Sequence, residues 1–496
     1  MKNTRILLFT FALSFFLLGS SSGSWAKSDP SEDLWYVVML DGQRAGYSHA
    51  LRKTDGDEII SSQETVLEIG RGSAVIRVEM RGGFTETKDG KPVSAWSESS
   101  MSPRTEWIFA PDSTVTQRTI VGDTVNETTL ELPDVLWRTP AAAGRFVAQQ
   151  LKSGSKTITY SVLDPTVGPT PVTATHEVLE TTTVEVMGKT VPAIRCRTSN
   201  SFMPNMKTVD FLDPETGDVL RTVMNFGALS FEILAADKSL AMSPVEPREL
   251  MAETLVEPDQ LISKPRKTRK AEYILTLKGE NEMPDLVSAG SQTVKRIDEK
   301  SLQINVDIDH PLPVDDVDRV KALEASSFLN SNDPLIKKLV DDAIKGIPDD
   351  PVKRAAAIRQ YVYNYISGKN LGVGFASASE TARTREGDCS EHSVLMAAML
   401  RAENIPSRLA SGLIYADQFL DKKGIFGYHM WTQALLPDEN GKLHWVDFDP
   451  TWPNKFDATH ILLQTSYMSD DGLSANDMVT LAPLIGKLQI KVIQAE

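Results

Sequence analysis

Apolar and polar residues alternate in short runs through the first half of the chain. Residues 35–39 and 208–211 are typical runs, and turn dipeptides such as Asp41-Gly42 separate runs of this kind. Alternation interrupted by glycine, aspartate and proline indicates antiparallel strands joined by hairpins. The pattern therefore predicts an antiparallel β-rich domain over residues 33–242, with a role in packing or binding.

The character of the sequence changes after this region. Residues 243–270 scatter four prolines among charged side chains, which is a composition typical of a linker. Strand-like runs return over residues 271–315. We interpret this second stretch as a β segment that precedes another domain.

Helical spacing of apolar residues begins within residues 316–470. Asp333-Pro334 has the form of an N-cap followed by proline at the first helical position, and Asp350-Pro351 repeats this signal. Apolar residues then recur every three or four positions, which indicates amphipathic helices that pack through one face.

Strands return near the end of the chain. Asn440-Gly441 is a strong turn signal and predicts a hairpin between residues 431–436 and 443–448. The tail, 471–496, ends in an alternating run that we expect to close a sheet. Helices packed on an antiparallel sheet, after an antiparallel β-rich region, define an α+β fold.

The segment around Cys389 carries the strongest chemical signal. Asp388 occupies an N-cap position and Glu391 follows three residues later, which is the spacing of a capping box. This spacing places Cys389 in the first turn of a helix, where the amide dipoles stabilise an anion. We therefore expect a lowered thiol pKa and a nucleophilic sulfur.

A nucleophilic thiol needs a base, and the base needs a group that orients it. His429 lies on the first strand of the predicted hairpin and Asp449 follows the second, so both fall near the same end of the hairpin. Asp447 has the same predicted orientation as Asp449, and the strand pattern alone does not choose between them. A cysteine at a helix start with histidine and aspartate on a sheet is the papain-type arrangement in this chain order.

The same residues carry a family resemblance. Residues 387–389, 400–408, 412–415, 429–431 and 449–451 together resemble the transglutaminase-like superfamily, and most closely its secreted bacterial members. The resemblance covers less than a third of the chain. It implies a papain-like core in which Cys389 is the nucleophile, His429 the base and Asp449 the orienting group. Asn404 replaces a glycine usual in the family, and asparagine tolerates the left-handed backbone of that turn.

The function implied by the resemblance is thiol acyl transfer on protein or peptide amides, and we favour hydrolysis by a peptidase or amidase. A crosslinking transglutaminase is the first alternative. The second alternative is a non-catalytic binding or assembly protein that works through its β-rich domain. The mechanism requires no metal or organic cofactor, and the sequence shows no calcium-binding loop motif.

Other residues near the predicted site have competing interpretations. Cys389, His392, His429 and Asp449 would suit a zinc ion, but the family resemblance explains the same residues better. His392 is expected to support the site or to pack, and we favour packing for His460. Trp431 and Tyr428 either line a groove or belong to the core, and Arg401 and Arg408 are expected to be structural.

The first residues of the sequence and its net charge indicate where the protein works and which partners it has. Lys2 and Arg5 precede an apolar run and small residues, which predicts a signal peptide over residues 1–26 that is cleaved after Ala26. The protein is therefore expected to be periplasmic or secreted. A net charge of −15 argues against nucleic acid as a partner, and no later segment suggests a membrane contact.

The cysteine count excludes a fold that is held together by several disulfides. Two cysteines cannot form a disulfide framework. Cys196 alternates with apolar neighbours, so we expect a buried strand thiol that does not pair with Cys389. The oligomeric state does not follow from the sequence.

Overall fold

The computed structural model describes residues 32–496, except 72–73, 101, 122–123, 133, 166–167, 169, 204–205, 250–253, 315–316, 370–375, 420 and 470–481. The predicted signal peptide, 1–26, lies outside the described residues. The chain divides into two compact units whose boundary lies near residue 249. Within the described ranges, no helix combines the length and the apolar character needed to cross a membrane.

The amino-terminal unit is built mainly from strands. Its elements in chain order are β1 (Glu32–Leu40), β2 (Gln43–Asp55), β3 (Glu58–Arg71), β4 (Ala74–Thr87), β5 (Pro92–Ser99), β6 (Ser102–Phe109), β7 (Thr114–Val121), β8 (Thr124–Glu131), α1 (Pro140–Lys152), β9 (Thr157–Val162), β10 (Val172–Val186), β11 (Lys189–Asn200), β12 (Lys207–Leu212), β13 (Val219–Phe226), β14 (Leu229–Ala236), α2 (Lys238–Ala241) and β15 (Arg248–Glu249).

The strands form one long antiparallel sheet in the order β8-β7-β6-β5-β4-β3-β2-β1-β14-β13-β12-β11-β10-β9. Neighbours in the chain pair as hairpins, and the pairing of β1 with β14 joins the two halves of the sheet, with Val37 opposite Leu234. Alternate residues are buried along strands such as β9, as the period-two pattern predicts. Phe84, Trp107 and Val115 form part of the apolar core. The predicted antiparallel β-rich region is confirmed.

The carboxy-terminal unit combines helices with two small sheets. Its elements are β16 (Lys270–Leu277), β17 (Gln292–Arg296), β18 (Ser301–Asp307), α3 (Arg319–Leu323), α4 (Pro334–Ile344), α5 (Pro351–Tyr365), α6 (Ala378–Thr384), α7 (Cys389–Ala402), β19 (Ser407–Phe419), β20 (Lys422–Pro437), β21 (Leu443–Phe448), β22 (His460–Ser466) and β23 (Leu488–Ala495). The sheet orders are β17-β18-β16-β23 and β21-β20-β19-β22. The expected closing strand is therefore β23, which pairs with β16.

Helix α7 is the centre of this unit. It packs against β19 and β20 on one side and against α4, α5 and α6 on the other. Its residues from Cys389 to Arg401 are all buried. The residues from Val394 to Leu400 are apolar, whereas the first turn buries the polar Ser390, Glu391, His392 and Ser393. The predicted α+β core of helices packed on an antiparallel sheet is confirmed.

Local sequence signals set the helix ends as predicted. The Asp333 side chain accepts a hydrogen bond from Leu335 N at the start of α4, and Asp350 accepts two at the start of α5. Asn404 has a φ of 62° after α7, so asparagine does adopt the left-handed turn.

The segment predicted as a linker makes specific contacts within the carboxy-terminal unit. Val256 N donates to Phe426 O at 2.9 Å, and Phe426 N donates back at 2.8 Å. Arg266 Nη1 lies 2.9 Å from Asp457 Oδ2. The proline and charge composition did not indicate these contacts, because each partner lies far away in the sequence.

Candidate active site

The start of α7 is fixed by the predicted capping box. Asp388 Oδ1 accepts from Ser390 N at 3.1 Å, and Glu391 Oε2 accepts from Asp388 N at 2.9 Å. Gly387 has a φ of 144°, and a Cβ there would lie 2.3 Å from Glu391 Cβ, so the turn requires glycine. Burial, together with the neighbouring Asp388, raises the pKa of Glu391 to about 8. Glu391 is therefore largely protonated at neutral pH.

Hydrogen bonds tie this first turn of α7 to the strand that carries His429. The Ser393 hydroxyl donates to Cys389 O at 2.7 Å and lies 3.1 Å from Met430 O. Thr432 Oγ1 donates to Ser393 O at 3.0 Å. The cysteine backbone and the backbone next to His429 are thus linked through one serine.

The structure brings His429 and Asp449 together. His429 Nε2 lies 2.8 Å from Asp449 Oδ2, at the end of the hairpin opposite the Asn440-Gly441 turn. Because a carboxylate only accepts, Nε2 carries the proton and Nδ1 keeps its lone pair. His429 Nδ1 is buried and has no hydrogen-bond partner among the described residues. This nitrogen is therefore the one that can take a proton from a thiol.

The electrostatics keep His429 neutral and Asp449 ionised. Burial lowers the pKa of His429 to about 4, against the opposing effect of Asp449. Burial alone would raise the pKa of Asp449, but the charge and hydrogen bond of His429 and the hydrogen bond of His460 hold that pKa well below its usual range. The pair therefore consists of a neutral base and an anionic carboxylate at neutral pH.

The three residues of the predicted site are buried. The exposed fraction is 0% for Cys389, 0% for His429 and 2% for Asp449. The two cysteines do not form a disulfide, as expected from the sequence, and both are buried thiols.

Asp447 and Asp449 have different partners. Asp447 Oδ1 accepts from Trp431 Nε1 at 2.8 Å and from Gln433 Nε2 at 2.7 Å, and Oδ2 accepts from Ser291 Oγ at 2.9 Å. These bonds hold the sheet together. Asp447 therefore has a structural environment, and Asp449 is the carboxylate that contacts the histidine.

The other residues considered in the sequence are mostly structural. Trp431 and Tyr428 are buried in the core. Arg401 donates to the carbonyl oxygens of Glu324, Ser407 and Tyr467. Arg408 donates to Gln433 and lies over the Trp445 ring, so the expected structural role of both arginines agrees with their contacts.

His392 is a second buried histidine on α7. Its Nδ1 donates to Asp388 O at 2.5 Å, and within the part of the chain that the structure describes its Nε2 has no hydrogen-bond partner. Burial lowers its pKa to about 4, so the ring is neutral at pH 7. Its position agrees with the expectation that it supports the site or packs.

Two residues of the site were not identified from the sequence. His460, for which packing was favoured, places Nε2 3.2 Å from Asp449 Oδ2. Arg359 on α5 donates from Nε to Asp449 O at 2.9 Å and from Nη2 to Trp452 O and Asn454 O. Only the tertiary fold brings either residue to Asp449. The one local signal was a polar histidine at the start of a predicted strand.

His429, Asp449 and His460 are also the described residues whose ligand atoms lie close enough to hold a metal ion, within 4.8 Å of one another. Both Nε2 atoms face the same carboxylate oxygen, so each carries the proton of its hydrogen bond. A metal would need those lone pairs. The hydrogen bonds therefore account for the arrangement. The alternative zinc set does not match this group, which lacks Cys389 and His392.

A family comparison agrees with the architecture. Residues 338–450 match the model of the transglutaminase-like superfamily, and this range contains Cys389, His429 and Asp449. The carboxy-terminal unit therefore contains a transglutaminase-like domain, as the resemblance implied.

Similar proteins add little about function. Uncharacterized proteins of Mycobacterium tuberculosis and Mycobacterium bovis are 28% identical over 155 residues, which is 30% of this chain and 44% of each relative. The chain thus spans less than half the length of the curated relatives that it matches.

Two solved structures are also similar to parts of the chain. A "putative cysteine protease" of Cytophaga hutchinsonii has a TM-score of 0.26 at 15% identity, over 46% of this chain and 86% of that one. A "putative protease" of Parabacteroides distasonis has a TM-score of 0.18 at 11% identity, over 80% and 69%. Scores this low do not define a shared overall arrangement.

Proposed function

We propose that the protein is a cysteine enzyme that performs thiol acyl transfer on protein or peptide amides, with hydrolysis as the favoured outcome. The observation that supports this proposal most directly is the His429–Asp449 hydrogen bond, which leaves Nδ1 of a neutral imidazole unprotonated. The base lies on the strand tied to the helix start that carries Cys389, and the family match includes all three residues.

The proposed reaction has two halves. The Cys389 thiol gives its proton to His429 Nδ1, and the sulfur attacks the amide carbonyl carbon. The Cys389 backbone N–H is the candidate donor to the oxyanion. The imidazolium then protonates the leaving amine or ammonia, the C–N bond breaks, and a thioester remains. Water then gives a proton to His429 and attacks the thioester carbonyl, the C–S bond breaks, a carboxylic acid leaves, and the proton on His429 returns to the sulfur to restore the thiol.

A labelling experiment tests the enzyme class. A small thiol-reactive probe should label Cys389 rapidly, and His429→Ala should remove that reactivity without unfolding the protein. A thiol that reacts slowly in the intact protein, and equally slowly in His429→Ala, would contradict the proposal. That result would favour the non-catalytic binding or assembly role.

A second experiment separates hydrolysis from crosslinking. The protein is incubated with a glutamine-containing peptide and a labelled amine, beside a Cys389→Ala control. Release of ammonia or peptide cleavage without label is the expected result. Incorporation of the amine would instead identify a crosslinking transglutaminase.

We also propose a periplasmic or secreted location, supported by the basic residues and apolar run within residues 1–26. The amino terminus of the protein recovered from its native compartment should begin after Ala26. Recovery of the uncleaved chain from the cytoplasm would contradict this location.

A further inference from the structure

We propose that His460 is a positioning residue of this site, which clamps Asp449 and places a fixed positive charge beside the His429–Asp449 pair. The inference rests on the proposed function, because it assigns His460 a role in that reaction. His460 lies outside the range matched by the family model, which ends at residue 450.

Asp449 is held from three sides. Its Oδ2 accepts from His429 Nε2 at 2.8 Å and from His460 Nε2 at 3.2 Å. Its Oδ1 accepts from Thr451 N at 2.8 Å. With both oxygens engaged, the carboxylate cannot rotate away from His429 without breaking the bond to His460. The second histidine therefore fixes the carboxylate that orients the base.

Hydrogen-bond chemistry gives the charge of His460. Its Nδ1 lies 2.9 Å from Asp457 O, and a carbonyl oxygen only accepts, so Nδ1 carries a proton. Its Nε2 faces the Asp449 carboxylate and must also donate. A ring that donates from both nitrogens is an imidazolium. Burial opposes this charge, but the bonds to Asp449 and Asp457 outweigh burial and raise the pKa of His460 to about 9.

The surroundings of His460 keep this arrangement rigid. The ring stacks on Phe456 with centroids 4.1 Å apart and meets Trp431 edge-on at 5.4 Å. The charged and titratable groups that face it are Asp449, Asp457 and His429, whose ring centroid is 5.7 Å away. Asp457 in turn pairs with Arg266.

A fixed cation at this distance has a defined effect on the proposed chemistry. It opposes protonation of His429 and favours an anion on the sulfur. Removal of the charge should therefore raise the pKa of both reacting groups. The pH profile of thiol reactivity should therefore move to higher pH, whether the rise in rate follows the titration of His429 or that of Cys389.

The test follows the alkylation rate of Cys389 by iodoacetamide as a function of pH. All proteins carry Cys196→Ala, so that one thiol remains. His460→Gln keeps a hydrogen-bond donor without the charge, and we expect a shift of the profile by about one pH unit upward. His460→Ala should show the same shift and a further loss of about tenfold in the maximal rate.

His444→Gln is the matched control. His444 lies on β21, and its Nε2 is 3.4 Å from Asp438 Oδ2, at the turn end of the hairpin formed by β20 and β21. Its replacement should leave the profile unchanged. If His460→Gln is folded and its profile overlays that of the parent, the inference is wrong.

A measurement without a variant at position 460 covers the case in which His460 variants do not fold. Nitrogen-15 NMR of the intact protein should show both His460 ring nitrogens protonated at neutral pH, and a neutral ring would overturn the inference. Failure of the proposed function looks different. In that case Cys389 would react as an ordinary thiol and His429→Ala would change nothing, whatever the state of His460.

Discussion

Each unit of the molecule buries a cysteine, a histidine and an aspartate, but the two units arrange them differently. In the amino-terminal unit these are Cys196 on β11, His176 on β10 and Asp210 on β12. Both ring nitrogens of His176 are engaged, with Thr198 Oγ1 at 2.7 Å and Tyr160 OH at 3.3 Å. No lone pair of this histidine is left for a thiol.

The carboxy-terminal set differs at each of the three residues. Cys389 begins a helix, whereas Cys196 lies within a strand, where burial and the nearby Asp210 raise the thiol pKa to about 12. His429 bonds directly to its aspartate at 2.8 Å, whereas His176 Nδ1 lies 3.9 Å from Asp210 Oδ2. The residue types are equal in the two units, so placement decides which set can support acyl transfer.

The aspartates show the same contrast in their titration. Burial raises the pKa of Asp210, because the neighbouring threonine hydroxyls and His176 only partly compensate. Two histidine donors hold the pKa of Asp449 well below its usual range. A buried carboxylate thus stays an anion where two imidazoles donate to it, one of them charged, and tends to keep its proton where hydroxyls donate.

Replacing each of the two cysteines with alanine should give the largest difference in turnover between the units. Cys389→Ala should abolish amide turnover, a loss of about ten-thousandfold or more, because no other group can form the thioester. Cys196→Ala should retain nearly full turnover and lose some stability through the cavity it leaves. Initial rates on a peptide amide measure both. Equal losses of turnover in the two variants would contradict the assignment of Cys389 as the nucleophile.

Neutral replacements of the aspartates should give the next largest difference. Asp449→Asn removes the charge that orients His429 and stabilises its protonated form, so we expect turnover to fall about a thousandfold. Asp210→Asn should leave turnover unchanged, because Asp210 contacts only the amino-terminal cluster. Turnover of both variants, with a circular dichroism check of folding, tests this pair.

The backbone clamp on Asp449 should have a smaller effect. Arg359→Met removes the donors to four carbonyl oxygens, and we expect about a tenfold loss of turnover and about 2–3 kcal/mol of unfolding free energy. Arg354→Met on the same helix removes partly exposed ion pairs with Asp349 and Glu403 and one exposed hydrogen bond to Pro348 O, at a cost of about 0–1 kcal/mol. Denaturant unfolding and turnover are measured together. Equal losses of turnover and of unfolding free energy in the two variants would contradict the role of Arg359 in holding the Asp449 backbone.

Acid titration should give the smallest effect. Burial raises the pKa of Asp218, in the amino-terminal unit, to about 7. Because this value lies above the unfolded value of about 3.9, the folded unit binds the extra proton, so its stability falls as pH rises from about 4 to about 7 and stays constant above that. Asp218→Asn should remove this dependence and stabilise the unit by about 1–2 kcal/mol at pH 8, with no effect at pH 4. Hydrogen exchange of β13 at the two pH values measures it, with the exposed Glu215→Gln as control.

Local signals in the sequence were enough to predict much of the carboxy-terminal unit. The starts of α4, α5 and α7 follow from Asp333, Asp350 and Asp388, whose side chains cap the nearest backbone N–H groups. The hairpin turn at Asn440-Gly441 places His429 and Asp449 at one end of two strands. Each of these features depends on residues close together in the chain.

The features that could not be predicted depend on distant contacts. Nothing near His460 marks its approach to Asp449, since that contact needs β22 to pair with β19 beside the hairpin. Arg359 lies on an amphipathic helix as an ordinary charged residue, and only packing of α5 brings it to Asp449. The pairing of β1 with β14, which joins the two halves of the long sheet, also brings together strands that are far apart in the sequence.

The loop after β21 is held in an unusual way that bears on how this protein can change over evolutionary time. Arg359 donates hydrogen bonds to the main-chain oxygens of residues 449, 452, 453 and 454. Because these bonds involve only main-chain atoms of the loop, substitutions at positions 452–454 would leave their acceptors in place. Arg359 has no such freedom, so one residue on a neighbouring helix holds the backbone of Asp449 while the loop sequence varies.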